Sequence, residues 1–204
     1  MNELLSTLDR KARYGILPFL ERLRDRLQLP IIYTHNMDEV ERLADTLVLM
    51  RNDRTTGAGT LKTLQTAPSL PLKQKYGAAV NLEVQFSRQE NGLLYLLAGK
   101  ENFYLPCGGV QPAHHMRIRI AAGDVSLALE KPEKSSILNI LPGRILFAAA
   151  VGRHEMLVLV ALGKNGEEAH ILSRIRDYSW TKLGLTEGMP VYSQVKGVAL
   201  LSRR

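Results

Sequence analysis

Apolar residues recur at helical spacing in the first third of the chain and at a period of two in the rest. Tyr14, Leu17, Leu20, Leu23 and Leu27 follow Asp9, whose carboxylate suits a helix N-cap. Pro18 lies inside that stretch and predicts a kink or a restart, because proline removes a donor and crowds the preceding turn. After Pro30, Ile31-Ile32-Tyr33-Thr34 predicts a short apolar strand. Asn36 then caps a second helix with Glu39 as capping-box partner, and Val40, Leu43 and Ala44 give that helix its buried face. Thr46 to Met50 predicts another buried strand, Asn52-Asp53 a turn, and Gly59 to Thr66 a short helix stopped by Pro68. Strand, helix, strand is the unit of a parallel sheet covered by helices, so residues 1–76 read as α/β.

From Val80 the pattern alternates. Val80, Leu82, Val84 and Phe86 interleave with polar residues, and Ile118 and Ile120 with Arg117 and Arg119. Further strands are predicted over 93–97, 126–129, 144–151, 156–162, 169–175 and 191–200, separated by turns containing Gly92, Gly108-Gly109, Gly152, Gly163, Gly166 and Gly188. Many short strands at such spacing imply small OB-like β-barrels. Lys131 to Ser136, polar and containing Pro132, reads as a linker, which divides this part into modules 77–134 and 135–204.

Composition narrows the function classes. With 45% hydrophobic and 23% charged residues over 204 positions, the chain is an ordinary globular one. Its longest apolar runs are too short to span a bilayer and its N-terminus has no signal-peptide pattern, so a soluble cytoplasmic protein is expected. The formal charge of +7 is spread over helix faces and loop tips, which favours solvated surface over a nucleic-acid interface. The single Cys107 forms no internal disulfide and reads as a small half-buried residue. His114 and His115 are adjacent, and no Cys/His cluster has metal-ligand spacing, so no metal site is expected. Trp180 reads as buried beneath a barrel's connecting segment rather than as a base-stacking platform.

The segment Tyr33-Thr34-His35-Asn36-Met37-Asp38-Glu39-Val40-Glu41-Arg42-Leu43-Ala44-Asp45 resembles the switch-histidine region of ABC transporter ATPases. There a strand ends in a histidine at the crevice where open α/β sheets bind ligands. The resemblance implies that His35 meets the γ-phosphate of ATP or orients the attacking water. Upstream, Met1 to Asp9 looks like the end of the Walker B strand and the D-loop. Glu3 would then polarise the water, Asn2 would stand where the family carries the Mg²⁺-supporting Asp, and Asp9 would help couple two ATPase subunits. Asn2 keeps an acceptor oxygen but lacks the charge a hard cation prefers, and Leu4 replaces the family's usual proline. No G-x-x-x-x-G-K-[ST] loop and no Leu-Ser-Gly-Gly-Gln signature occur, so this chain alone is expected not to turn over ATP, although ATP and Mg²⁺ serve the intact family member.

Ile16 to Leu23, Gly123 to Leu129 and Ser135 to Gly143 are similar to the molybdate-import branch of that family, and residues from Ser136 to Leu200 look like its Mop/TOBE domain. The resemblance implies a homodimer of ATP-binding subunits docked on transmembrane permease subunits at the inner face of the plasma membrane, with molybdate or tungstate as ligand and no nucleic acid. A tetrahedral dianion needs N–H groups, hydroxyls and a cation. The branch's Ser-x-Arg-Asn and Lys-Ser elements read here as Ser136-Ile137-Leu138-Asn139 and Lys196-Gly197. Ser136 and Lys196 therefore remain as candidate oxyanion ligands, whereas Leu138 and Gly197 lose a cation and a hydroxyl. A structural dimerisation module is preferred over direct molybdate binding, with a non-catalytic oxyanion-binding regulatory dimer as the alternative function. Asn139 is expected to pin the turn before Gly143.

Overall fold

The computed structural model describes residues 8–27, 34, 36–67, 78–109, 111–163 and 169–203. The chain divides into two compact units, 1–61 and 62–204. Where the sequence pattern suggests a boundary at 76/77, this division falls at 61/62.

In the first unit, α1 (Arg10–Leu27) runs as one helix through Pro18, and α2 (Met37–Leu43) packs against it. Asp9 caps α1 by accepting the Ala12 N–H at 2.8 Å. Leu17 and Leu43 are buried between the helices, with Leu8 and Leu20 beside them. The expectation of a buried parallel strand over Thr46 to Met50 is corrected. β1 (Thr46–Arg51) and β2 (Arg54–Thr60) form an antiparallel hairpin, and Val48 and Met50 are exposed. The turn supplies the cause: Asn52 and Asp53 have φ of 50° and 56°, the left-handed pair that a two-residue type I′ hairpin requires. β2 is absent from the sequence reading, and α3 (Leu61–Thr66) begins two residues after Gly59. The strand expected over 31–34 lies, except for Thr34, outside the described residues. Every described strand pairing is antiparallel, so the α/β character expected of residues 1–76 is not seen among the described residues.

The second unit is built on β-sheets, as the period of two predicts. Its strands are β3 (Ala79–Glu90), β4 (Leu93–Ala98), β5 (Glu101–Pro106), β6 (His115–Ala121), β7 (Val125–Ala128), β8 (Asn139–Ala150), β9 (Glu155–Leu162), β10 (His170–Arg176), β11 (Pro190–Val195) and β12 (Ala199–Arg203). A 3-10 turn over Ala122–Asp124 precedes β7, and α4 (Asp177–Lys182) follows β10. The segment 101–106, not anticipated as a strand, is an edge strand ending in Pro106, a position where a missing donor is tolerated. The single strand expected over 191–200 is two, β11 and β12, which lie in different sheets.

The two five-stranded sheets have orders β12-β6-β3-β4-β5 and β7-β11-β8-β9-β10. These are the same order repeated. Each has a 12-residue strand at its centre, with a register shift partway along its pairing to the next strand: Phe86/Arg88 in β3, Ile145/Phe147 in β8. The fifth strands are exchanged. β7 follows β6 in the chain but pairs with β11, and β12 follows β11 but pairs with β6. Strands thus cross the 134/135 boundary in both directions. In the second sheet the curl brings β10 round to β7, where the buried Ser173 hydroxyl donates to the Val125 carbonyl at 2.6 Å.

One apolar cluster runs through both sheets. Leu94, Leu96 and Ala98 are buried and alternate with half-buried Leu93, Tyr95 and Leu97. Val80, Phe103, Ile118, Ile120, Ile145, Val160 and Ile171 are each fully enclosed. Each such side chain contributes about 1.5–3 kcal/mol on transfer from water. Trp180 packs half-buried against this core, as does Cys107, while Tyr178 is exposed.

Candidate functional site

Two groups of residues carry the chemistry that the sequence suggests, and each lies within one unit. In the first unit, Asn2, Glu3 and His35 lie outside the described residues. The backbone on either side of His35 is placed. The Thr34 hydroxyl accepts the Asn36 N–H at 3.0 Å and donates to the Glu39 carboxylate at 2.7 Å. Glu39, expected to reach Asn36 as a capping-box partner, is buried and holds Thr34. This bond fixes the start of α2. Asp9, exposed at the head of α1, is committed to its helix through Ala12.

In the second unit, three chain segments meet where the sheets exchange strands. The Val195–Asn139 pair ends the β8–β11 ladder, so Lys196 and Leu138 are the next residues at that end, with Ser136 two further on. Val125 also pairs with Val195, which brings the 3-10 turn alongside. The Lys196 N–H donates to the Asp124 carbonyl at 2.8 Å. The register therefore gathers Ser136, Lys196 and Asp124 at one end of one sheet. Ser136, Leu138, Lys196 and Asp124 are all exposed.

Asn139 does not serve the turn before Gly143, contrary to expectation. It is buried, its Oδ1 accepts the Tyr104 N–H at 2.7 Å, and its Nδ2 donates to the Tyr104 carbonyl at 3.1 Å. One side chain thus satisfies both backbone groups on the free edge of β5 and ties it to β8. Asp124, which the sequence reading passed over, lies against Gly197. A Cβ at that glycine would stand 2.7 Å from its Oδ2. No local pattern marks Asp124, because its neighbour is 73 positions away.

Burial, followed by the charge of Lys62, lowers the pKa of His170 below its usual 6.5. Gln65 is buried and its Oε1 accepts the Asn81 N–H, which anchors α3 to β3. His114 and His115 stand at the start of β6 with rings 4.6 Å apart. Among the described residues no group of three or more His, Cys, Asp or Glu side chains could hold a metal. No described helix is long and apolar enough to cross a membrane.

The TOBE domain family matches residues 135–201. The molybdenum import ATP-binding protein ModC of Rhodopseudomonas palustris strain HaA2 is 48% identical over 207 residues, covering 100% of this chain and 55% of that protein. The chain is a relative of the molybdenum import ATP-binding proteins. The protein of that name from Rhodobacter capsulatus is 41% identical over 98% of this chain and 56% of its own length. The chain thus spans about half the length of the curated relatives it matches, and it corresponds to their C-terminal part. Among solved structures, the cytoplasmic molybdate-binding protein ModG with molybdate bound superposes with a TM-score of 0.50 at 17% identity, over 64% of this chain and 99% of that one. Residues 135–201 are about a third of the chain, so this likeness of fold extends beyond the TOBE match.

Proposed function

We propose that this chain is the C-terminal part of the ATP-binding subunit of an ABC transporter that imports molybdate. The observation that carries the reading is identity of nearly one half along the full chain to ATP-binding proteins of molybdenum import. On this reading residues 1–76 end the nucleotide-binding domain, and 77–134 and 135–204 are the appended modules. Glu3 polarises the attacking water, His35 meets the γ-phosphate, Asn2 lies beside Mg²⁺ and Asp9 faces the second ATP-binding subunit. The Thr34–Glu39 hydrogen bond would then steady the start of α2, next to His35 in the sequence. Transmembrane permease subunits dock on the nucleotide-binding domain at the cytoplasmic face of the membrane. The fold likeness to ModG favours a second reading, a non-catalytic oxyanion-binding dimer that handles molybdate or tungstate.

A fusion separates the two. The chain alone should release no phosphate from ATP. Joined behind the N-terminal part of the Rhodopseudomonas palustris relative, it should hydrolyse ATP, and His35→Ala should reduce that rate by at least about a hundredfold. A folded fusion with no turnover, beside an active intact relative, would refute the transporter reading.

A further inference from the structure

We propose that β7 is a releasable strap on the barrel formed by the second sheet, and that the Ser173 hydroxyl is the latch that holds it closed. The inference goes beyond the transporter reading and does not depend on it.

β7 is the least secured strand of its sheet. It has four residues, of which Val125 and Leu127 are buried, whereas β9 buries all six from Leu157 to Leu162. β8 is paired along both edges, to β9 and to β11, but β7 is paired to β11 alone. No backbone ladder joins β7 to β10, although the two strands lie side by side. Across that seam the fully enclosed Ser173 hydroxyl donates to the Val125 carbonyl at 2.6 Å. Closure here therefore rests on a side-chain hydrogen bond, where the other neighbours in the sheet share a ladder. β11 weakens β7 from the opposite edge. Ser193 pairs with Leu127, is fully buried, and its hydroxyl has no hydrogen-bond partner. An unpaired hydroxyl in an apolar interior opposes the packed state. Before β7 the 3-10 turn is pinned: the Ala122 N–H donates to the Ala78 carbonyl, and the Lys196 N–H to the Asp124 carbonyl. After β7 the chain is exposed at Leu129, Glu130 and Lys131 and again over 133–136. The strand thus runs from a fixed turn into solvated chain. Segments with few buried apolar contacts open at a lower free energy than the core around them. Release of β7 frees one of the two strands that cross between the sheets, while β8, β9 and β10 keep their ladders.

Amide hydrogen exchange of the full chain at neutral pH, followed by mass spectrometry, tests this. After correction for intrinsic rates, residues 125–128 should exchange at least about tenfold faster than 157–162. Ser173→Ala removes the latch and leaves the Val125 carbonyl unpaired. Exchange in 125–128 should then rise at least about tenfold, with 79–85 and 157–162 unchanged. Ser193→Ala removes the unpaired hydroxyl and should slow 125–128 by about threefold or more. Opposite signs from two serine-to-alanine changes in one barrel separate a latch from a general loss of packing. Equal protection of 125–128 and 157–162 in wild type would overturn the proposal. So would a Ser173→Ala effect spread evenly over both sheets. If Ser173→Ala does not fold, Ser193→Ala decides, and unchanged or faster exchange in 125–128 then refutes the strap. None of these outcomes bears on ATP hydrolysis by the fusion, so the inference can fail without the transporter reading failing.

Discussion

Replacing Asn139 by alanine distinguishes a structural role from a ligand role at a buried polar position of the second unit. The side chain is 6% exposed and makes two hydrogen bonds to one backbone unit, at 2.7 and 3.1 Å. Alanine removes both and leaves the Tyr104 N–H and carbonyl facing a small void. A net hydrogen bond is worth about 1 kcal/mol, and a buried group left unpaired costs about 1–3 kcal/mol. Tyr104 is half-buried, so water reaches part of the gap and the low end of that range applies. The expected loss is about 2–3 kcal/mol. For a body of this size that corresponds to a fall in Tm of roughly 5–10 °C. Trp180, the chain's one tryptophan, packs half-buried on the same core and reports unfolding in urea by its fluorescence. Asn139→Asp keeps the acceptor but sets a buried carboxylate oxygen against the Tyr104 carbonyl, and should destabilise at least as much as alanine at neutral pH. A change below about 0.5 kcal/mol for Asn139→Ala, the range of an ordinary surface substitution, would refute the pinning role.

Two further outcomes follow from the same unit. Gly143→Ala should destabilise by about 1–3 kcal/mol in urea titration, at the upper end because the new Cβ meets the Ala161 carbonyl oxygen at 2.6 Å, which a side-chain rotation cannot relieve. His170 has a folded pKa below 6.5, so the unfolded chain binds its proton more readily. Stability from this group is therefore complete above pH 6.5 and declines as pH falls below it toward the folded pKa. His170→Gln should flatten that part of the stability profile, read as Tm against pH. An unchanged slope would remove His170 as its source.

In β3 the sequence by itself determined which residues face inward. Val80, Leu82 and Val84 alternate because successive side chains of a strand point to opposite faces, and the structure buries all three. Asp9 was legible as a helix cap for the same reason: the capping bond spans three residues. The motif around His35 was legible as a family resemblance, and identity along the whole chain supports it. Pairing partners were not legible. The pattern of 125–128 and 199–203 specifies a strand and its inner face but not which edge it joins, since every half-buried edge offers the same hydrogen bonds. Likewise Thr46 to Met50 is apolar enough for a buried parallel strand, yet the left-handed backbone at Asn52 and Asp53 turns it onto its own successor. The tertiary structure alone decided that Asn139 holds Tyr104 and that Asp124 lies against Gly197, because each contact joins residues 35 and 73 positions apart, respectively, and no local periodicity encodes them.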